Sequence, residues 1–201
     1  WKVAFSPDGQ TLASGSCAEL APDTYFCIRG EIGFWDMQTY QPIVAPQVTL
    51  EGNVTGIAFS LDGSRLVASG CTKADSESFT CEQGGVSVWD TTSYEQIGET
   101  RQIHDNHVWD VSFSPDGSLL ATASWDNTIQ LWDTTTWQTS GEPLAEHTDF
   151  VWSVDYSPDG SMLASGSRDT SIILWNIATR KSIATLHGHG SSVYRANFSP
   201  D

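Results

Sequence analysis

The sequence predicts an all-β fold built from repeated four-stranded antiparallel units, and three observations carry that reading. A five-residue turn signature recurs along the chain: Phe5-Ser6-Pro7-Asp8-Gly9, Phe59-Ser60-Leu61-Asp62-Gly63, Phe113-Ser114-Pro115-Asp116-Gly117 and Tyr156-Ser157-Pro158-Asp159-Gly160, with Phe198-Ser199-Pro200-Asp201 as a shortened fifth copy. An aromatic-acid or aromatic-amide pair follows each full copy at Trp35-Asp36, Trp89-Asp90, Trp132-Asp133 and Trp175-Asn176. Between the markers apolar residues alternate with period two, and no stretch shows the 3.6-residue period of a helix.

The elements follow in order within each repeat. In Ser-Pro-Asp-Gly, proline presets φ at the second turn position and glycine accepts positive φ at low cost. A short apolar run comes next, such as Leu119 to Ser124. A polar turn, Asp126-Asn127-Thr128, then leads into Ile129-Gln130-Leu131-Trp132. A polar stretch and a weaker fourth strand close the repeat. Before the turn, Val108-x-x-Val111-x-Phe113 and Val151-x-x-Val154-x-Tyr156 break period two, which predicts a bulge at Trp109 and at Trp152. Such units read as β-propeller blades. The blades span about 1–49, 53–103, 107–145 and 150–187, and 192–201 begins a further one. Four blades plus one strand predict a partial ring of a larger propeller, with the remaining blades supplied by the rest of the native chain. The start at Trp1, within a motif, places the natural N-terminus outside the sequence.

The five copies of the turn signature and the Trp-Asp markers resemble the WD-repeat family over essentially the whole chain; the dense Ser-Pro-Asp-Gly copies look most like bacterial arrays. The resemblance implies a closed ring of about seven blades, of which this chain would be a part, and a hydrogen-bond network inside each blade. Its members in blade four would be His147, Ser165, Trp175 and Asp169, and in blade three His104, Thr122, Trp132 and Asp126. A Ser, a His and an Asp could suggest a hydrolase triad. Their recurrence in successive blades, without a nucleophile elbow, points to structure instead. In blade two the histidine position holds Leu50, and neither blade one nor blade two keeps the short Asp-containing turn.

The repeats are unequal. The turn aromatics are 54, 54, 43 and 42 residues apart, and the excess lies between the second and third strands of blades one and two. Each insertion is bounded by cysteines, Cys17 with Cys27 and Cys71 with Cys81, which are all four cysteines of the chain. Paired hairpin strands suit a disulfide, so Cys17–Cys27 and Cys71–Cys81 are the expected bridges. Free buried thiols and a shared four-cysteine zinc site are the alternatives. Bridges would favour an oxidising compartment, whereas the family resemblance implies the cytoplasm.

The resemblance also implies a top face where hairpin and inter-blade loops emerge and partners bind, as in heterotrimeric G-protein β subunits. Its candidate contacts are Trp1, His107, Trp109, Trp125, Phe150, Trp152, Arg168 and Tyr194, with Tyr25, Phe26 and Phe79 from the insertions. Packing on neighbouring blades is their bland alternative. A net charge of −16 repels nucleic acid and anionic lipid and favours a basic protein or peptide partner. No apolar run is long enough to insert in a membrane. No catalytic residue, cofactor or metal site is expected: Asp110 and Asp155 occur in single blades, and no Asp-x-Asp-x-Asp calcium loop is present. A non-catalytic interaction scaffold, part of a larger signalling or regulatory protein, is the reading that fits best. A surface glycan- or small-ligand-binding propeller is the alternative, and an enzymatic or metal-binding propeller the least favoured.

Overall fold

A computed structural model describes residues 2–22, 26–75, 78 and 80–200. They form two compact units, residues 1–108 and 109–201. Among the described residues every regular element is a strand.

The first unit holds two four-stranded antiparallel sheets. Blade one is β1 (Lys2–Phe5), β2 (Thr11–Leu20), β3 (Cys27–Asp36) and β4 (Gln47–Leu50), hydrogen-bonded in chain order. Blade two repeats this with β5 (Val54–Phe59), β6 (Arg65–Ala74), β7 (Cys81–Asp90) and β8 (Arg101–His104). The core lies between the two sheets. Ala13, Ile32 and Phe34 of blade one pack with Val54, Ile57, Leu66, Ala68 and Trp89 of blade two. The Phe34 ring meets Tyr94 edge-on at 4.9 Å, a contact worth about 0.5–1.5 kcal/mol beyond its area.

The second unit contains all of β9 (Val108–Phe113) but its first residue, β10 (Leu119–Ser124) and β11 (Ile129–Asp133), then β12 (Val151–Tyr156), β13 (Met162–Ser167), β14 (Ile172–Asn176) and β15 (Lys181–Leu186). β12 to β15 form a full four-stranded blade; β9 to β11 form three strands. The outer segment of blade three is reduced to two bridging pairs, Ile129 with Leu144 and Trp132 with Thr139. The segment between them contains Gly141, at φ +74°, and Pro143, which has no N–H to add to a ladder. The expected first strand of a fifth blade is likewise not a strand. Residues 192–200 follow β12 through single bonds: the Ala196 amide donates to Ser153 Oγ at 3.0 Å and the Phe198 amide to the Asp155 carboxylate at 2.8 Å.

The turn signature behaves identically in its four full copies. In the last, Ser157 Oγ donates to Asp159 Oδ1 at 2.6 Å and accepts the Met162 amide at 2.9 Å. Glycine takes φ +71 or +72° at positions 9, 63, 117 and 160. The bulge predicted at Trp152 is present, as a register shift between Val151 and Ser153, and one falls at Thr55 between Val54 and Gly56.

Candidate functional site

The bulge of β12 turns Trp152 out of the alternating pattern, and in the second unit it meets rings from three other segments. Trp109 comes from β9, Trp125 from the β10–β11 turn, and Phe150 from the loop entering β12. Trp109 stacks on Trp125 at 5.0 Å and 16°, and Trp125 stacks on Phe150 at 4.9 Å and 8°. The Arg168 guanidinium, from the β13–β14 turn, caps the column 5.1 Å above Phe150. Trp152 closes one side, edge-on to Trp109 at 4.8 Å and to Trp125 at 5.3 Å, and Tyr194 leans on Trp152 at 5.4 Å. The loop is pinned from below, because the Arg168 amide donates to the Phe150 carbonyl and Ser167 Oγ to the Asp149 carbonyl.

The column is partly self-filled. Its three rings and the flanking Trp152 are half-buried, whereas Tyr194 is 67% exposed and Arg168 is exposed, its Nε 3.6 Å from Asp149. Ring-to-ring packing and an accessible rim therefore coexist in one ledge.

The other candidate contacts are placed differently. His107 lies in the first unit, 6% exposed, beside Cys71 and Cys81. Burial pushes its imidazole down to about 4, so it is neutral near pH 7. Phe26 is half-buried and accepts the Ala21 amide at its carbonyl, closing the first insertion. Trp1, Tyr25 and Phe79 lie outside the described residues. Asp110 and Asp155 are engaged by backbone amides of the following repeat, Val154 at 3.4 Å and Phe198 at 2.8 Å. Burial raises the Asp155 carboxyl above its ordinary value.

The polar network of blade four forms in full. Trp175 Nε1 donates to Ser165 Oγ at 2.8 Å, Ser165 Oγ is 2.8 Å from His147 Nε2, and His147 Nδ1 is 2.8 Å from Asp169. Burial lowers the His147 pKa, outweighing Asp169. Burial alone would raise Asp169, but hydrogen bonds from Ser171, His147 and two backbone amides outweigh it and hold that carboxyl well below the usual range. A neutral imidazole donating from Nδ1 and accepting at Nε2 satisfies every member in one direction. In blade three Trp132 Nε1 donates to Thr122 Oγ1 at 3.1 Å, Asp126 accepts the Thr128 amide, and His104 is buried.

Blades one and two satisfy their indoles too, which Leu50 in the histidine position of blade two does not suggest. In blade one Trp35 Nε1 donates to Ser14 Oγ at 3.0 Å. In blade two the matching column holds Ala68, and Ser87 accepts from Trp89 instead, at 3.0 Å, while Thr49 Oγ1 reaches Ser87 Oγ at 2.7 Å. Residues two apart on a strand share a face. The Ser87-x-Trp89 spacing was therefore the readable signal.

The two hairpins with insertions bring their cysteines together as expected. Cys17 and Cys27 have sulfurs 2.15 Å apart with Cα atoms at 5.7 Å, and Cys71 and Cys81 have 2.14 and 5.7 Å.

Comparison with known proteins agrees with this architecture. The family model "WD domain, G-beta repeat" matches residues 1–18, 45–90, 98–133 and 138–176, more than half of the chain. The chain is 38% identical over 137 residues to a guanine nucleotide-binding protein subunit beta of Zea mays, covering 64% of this chain and 30% of that protein. It is 34% identical over 133 residues to the WD repeat-containing protein SL1-17 of Schistosoma mansoni, covering 65% and 35%. It is 32% identical over 134 residues to Protein HIR1 of Yarrowia lipolytica, covering 64% and 12%. These matches span about a third or less of each relative's length, and all three relatives are eukaryotic. With the repeat model matched along most of its length and its strands laid out as antiparallel blades, the chain belongs to the WD-repeat family.

Proposed function

We propose that the chain is a non-catalytic protein-interaction scaffold and that its partner seats on the aromatic ledge of the second unit. The observation that carries this is the continuous Trp109–Trp125–Phe150–Arg168 column with Trp152 and Tyr194 on its flank. Aromatic rings and arginine supply much contact area at low entropic cost, and they dominate measured binding hot spots. The rings are already held by one another, so a partner would order only the rim, Tyr194 and Arg168. Family membership supports a scaffold role in general, and the maize relative is by name a subunit of an assembly. The net charge of −16 favours a basic peptide or protein. A role within a larger signalling or regulatory protein is consistent with the length of the relatives.

Selection of displayed peptides on the immobilised chain tests the surface. Enriched peptides should be rich in Lys and Arg, bind more weakly as salt rises, and lose about tenfold or more in affinity to R168A and Y194A. Both substitutions are exposed and should leave the circular dichroism unchanged. Enrichment of peptides indifferent to both would refute this choice of surface. Signal on a glycan array, with no peptide enriched, would favour the small-ligand reading instead.

A further inference from the structure

The base of the β6–β7 hairpin carries more than a cysteine pair. The sulfurs of Cys71 and Cys81 and a ring nitrogen of His107 all lie within 4.8 Å of one another. The three come from separate elements: β6, β7 and the loop that leads from β8 into β9. The loop is seated closely. A Cβ on Gly84 would collide with the Asn106 carbonyl oxygen and come within 2.8 Å of the Val108 nitrogen, so only glycine lets this backbone approach. Asn106 Oδ1 also accepts the His107 amide at 2.8 Å. His107 is thus fixed in the wall of the site.

Blade one is an internal comparison. It has the same cysteine pair at the same Cα separation, and Gly30 takes the role of Gly84, facing the Gly52 carbonyl. Where blade two has His107, blade one has Asn53. A disulfide therefore needs no imidazole at this position. Two thiolates and a neutral imidazole are, in contrast, the donor set of borderline-soft ions such as Zn²⁺. Tetrahedral zinc with Zn–S near 2.3 Å and Zn–N near 2.0 Å sets its donors about 3.5–3.8 Å apart. Small side-chain rotations reach that spacing once the sulfurs are not bonded to each other.

We infer that the dithiol form of blade two binds one zinc ion through Cys71, Cys81 and His107, and that blade one does not. From the bridged form the step needs a reductant. A dithiol delivers two electrons and two protons to the Cys71–Cys81 bond and leaves as its own disulfide. Zn²⁺ then displaces the two thiol protons to solvent. Three protein ligands leave the fourth tetrahedral position to water. The site would couple the order of the β8–β9 loop to both redox state and metal.

The test uses the whole chain, reduced by a phosphine under argon and freed of it, then titrated with Co²⁺ and afterwards with Zn²⁺. One equivalent of Co²⁺ should produce a thiolate-to-metal charge-transfer band in the near ultraviolet, and Zn²⁺ should abolish it. The double variant C17S/C27S should behave like the parent. The variant H107N, which gives blade two the pattern of blade one, should weaken binding by more than tenfold, since even loss of a group that merely orients a ligand costs about 10–100-fold. Circular dichroism before metal addition separates folding from ligation. Should the reduced chain lose its β signal, zinc must restore it. Absence of the band, failure to restore the signal, two equivalents bound, or an H107N chain with parental affinity would each overturn the inference.

Discussion

Among the described residues Trp175 is the largest fully buried side chain, and Ser165 Oγ accepts its indole N–H. The same oxygen faces His147 Nε2, so one hydroxyl serves two buried nitrogens. Removing it should cost more than an ordinary hydrogen bond, because an unpaired buried polar group carries its full desolvation penalty. Ser165→Ala should therefore lower the unfolding free energy by about 2–3 kcal/mol in urea; a loss under about 0.5 kcal/mol would mean that water enters and replaces the hydroxyl. At this scale the sequence was legible wherever a donor and its acceptor keep their columns from repeat to repeat, as in Ser165 with Trp175 and Thr122 with Trp132. In blade two, where Ala68 vacates the column and Ser87 supplies the oxygen from the neighbouring strand, it was legible only in the Ser87-x-Trp89 spacing. His107 was not readable at all. Its seat against Cys71 and Cys81 depends on how closely a loop approaches a hairpin, which neither spacing nor polarity reports.

The hairpins show how an insertion is absorbed without disturbing a blade. β2, β3, β6 and β7 are each ten residues long, whereas β10 and β13 have six and β11 and β14 five. The added residues extend the ladder, and two register shifts beyond Cys17 and beyond Cys71 bend the extension. Length and place of the insertions could be read from the spacing of the repeats. The shifts could not, since a one-residue slip leaves composition and period nearly unchanged. Closing a loop of this size is worth roughly 2–3 kcal/mol in the chain-entropy model. Reductant should accordingly speed amide exchange in β2, β3, β6 and β7 of the oxidised chain and leave β13 and β14 unaffected, as followed by hydrogen-exchange mass spectrometry. Uniform acceleration in both units, or none in either, would contradict this local role.

Across the whole molecule the four turn aspartates share one hydrogen-bonded setting, each accepting from the serine two residues before it. In Asp8, Asp62, Asp116 and Asp159 the hydrogen bond from the turn serine is the largest cause of a lowered pKa, and Asp159 is brought down to about 2. A carboxylate whose pKa is lower in the folded than in the unfolded chain stabilises the fold above its unfolded value, near 4, and loses that contribution as pH falls through the folded value. Stability from these turns should hold down to about pH 4 and decline towards pH 2, and D116N/D159N should flatten the decline in an acid titration followed by circular dichroism. An unchanged acid limb would remove the turns as its cause. The blades and the aromatic positions of the ledge were visible in the phase of the repeats; the stacking of Trp109 on Trp125 and of Trp125 on Phe150 was not, because it joins segments that no period links. The bond from Thr49 to Ser87 has a consequence for how such chains grow. Thr49 stands on the outer strand of one blade and Ser87 inside the next, yet both fall within the single matched stretch 45–90. His147 and Trp175 likewise share the stretch 138–176. A gene duplication that copies such a stretch copies a whole rivet and the means of fastening it to its neighbour. One cut at blade edges would leave each new copy half fastened.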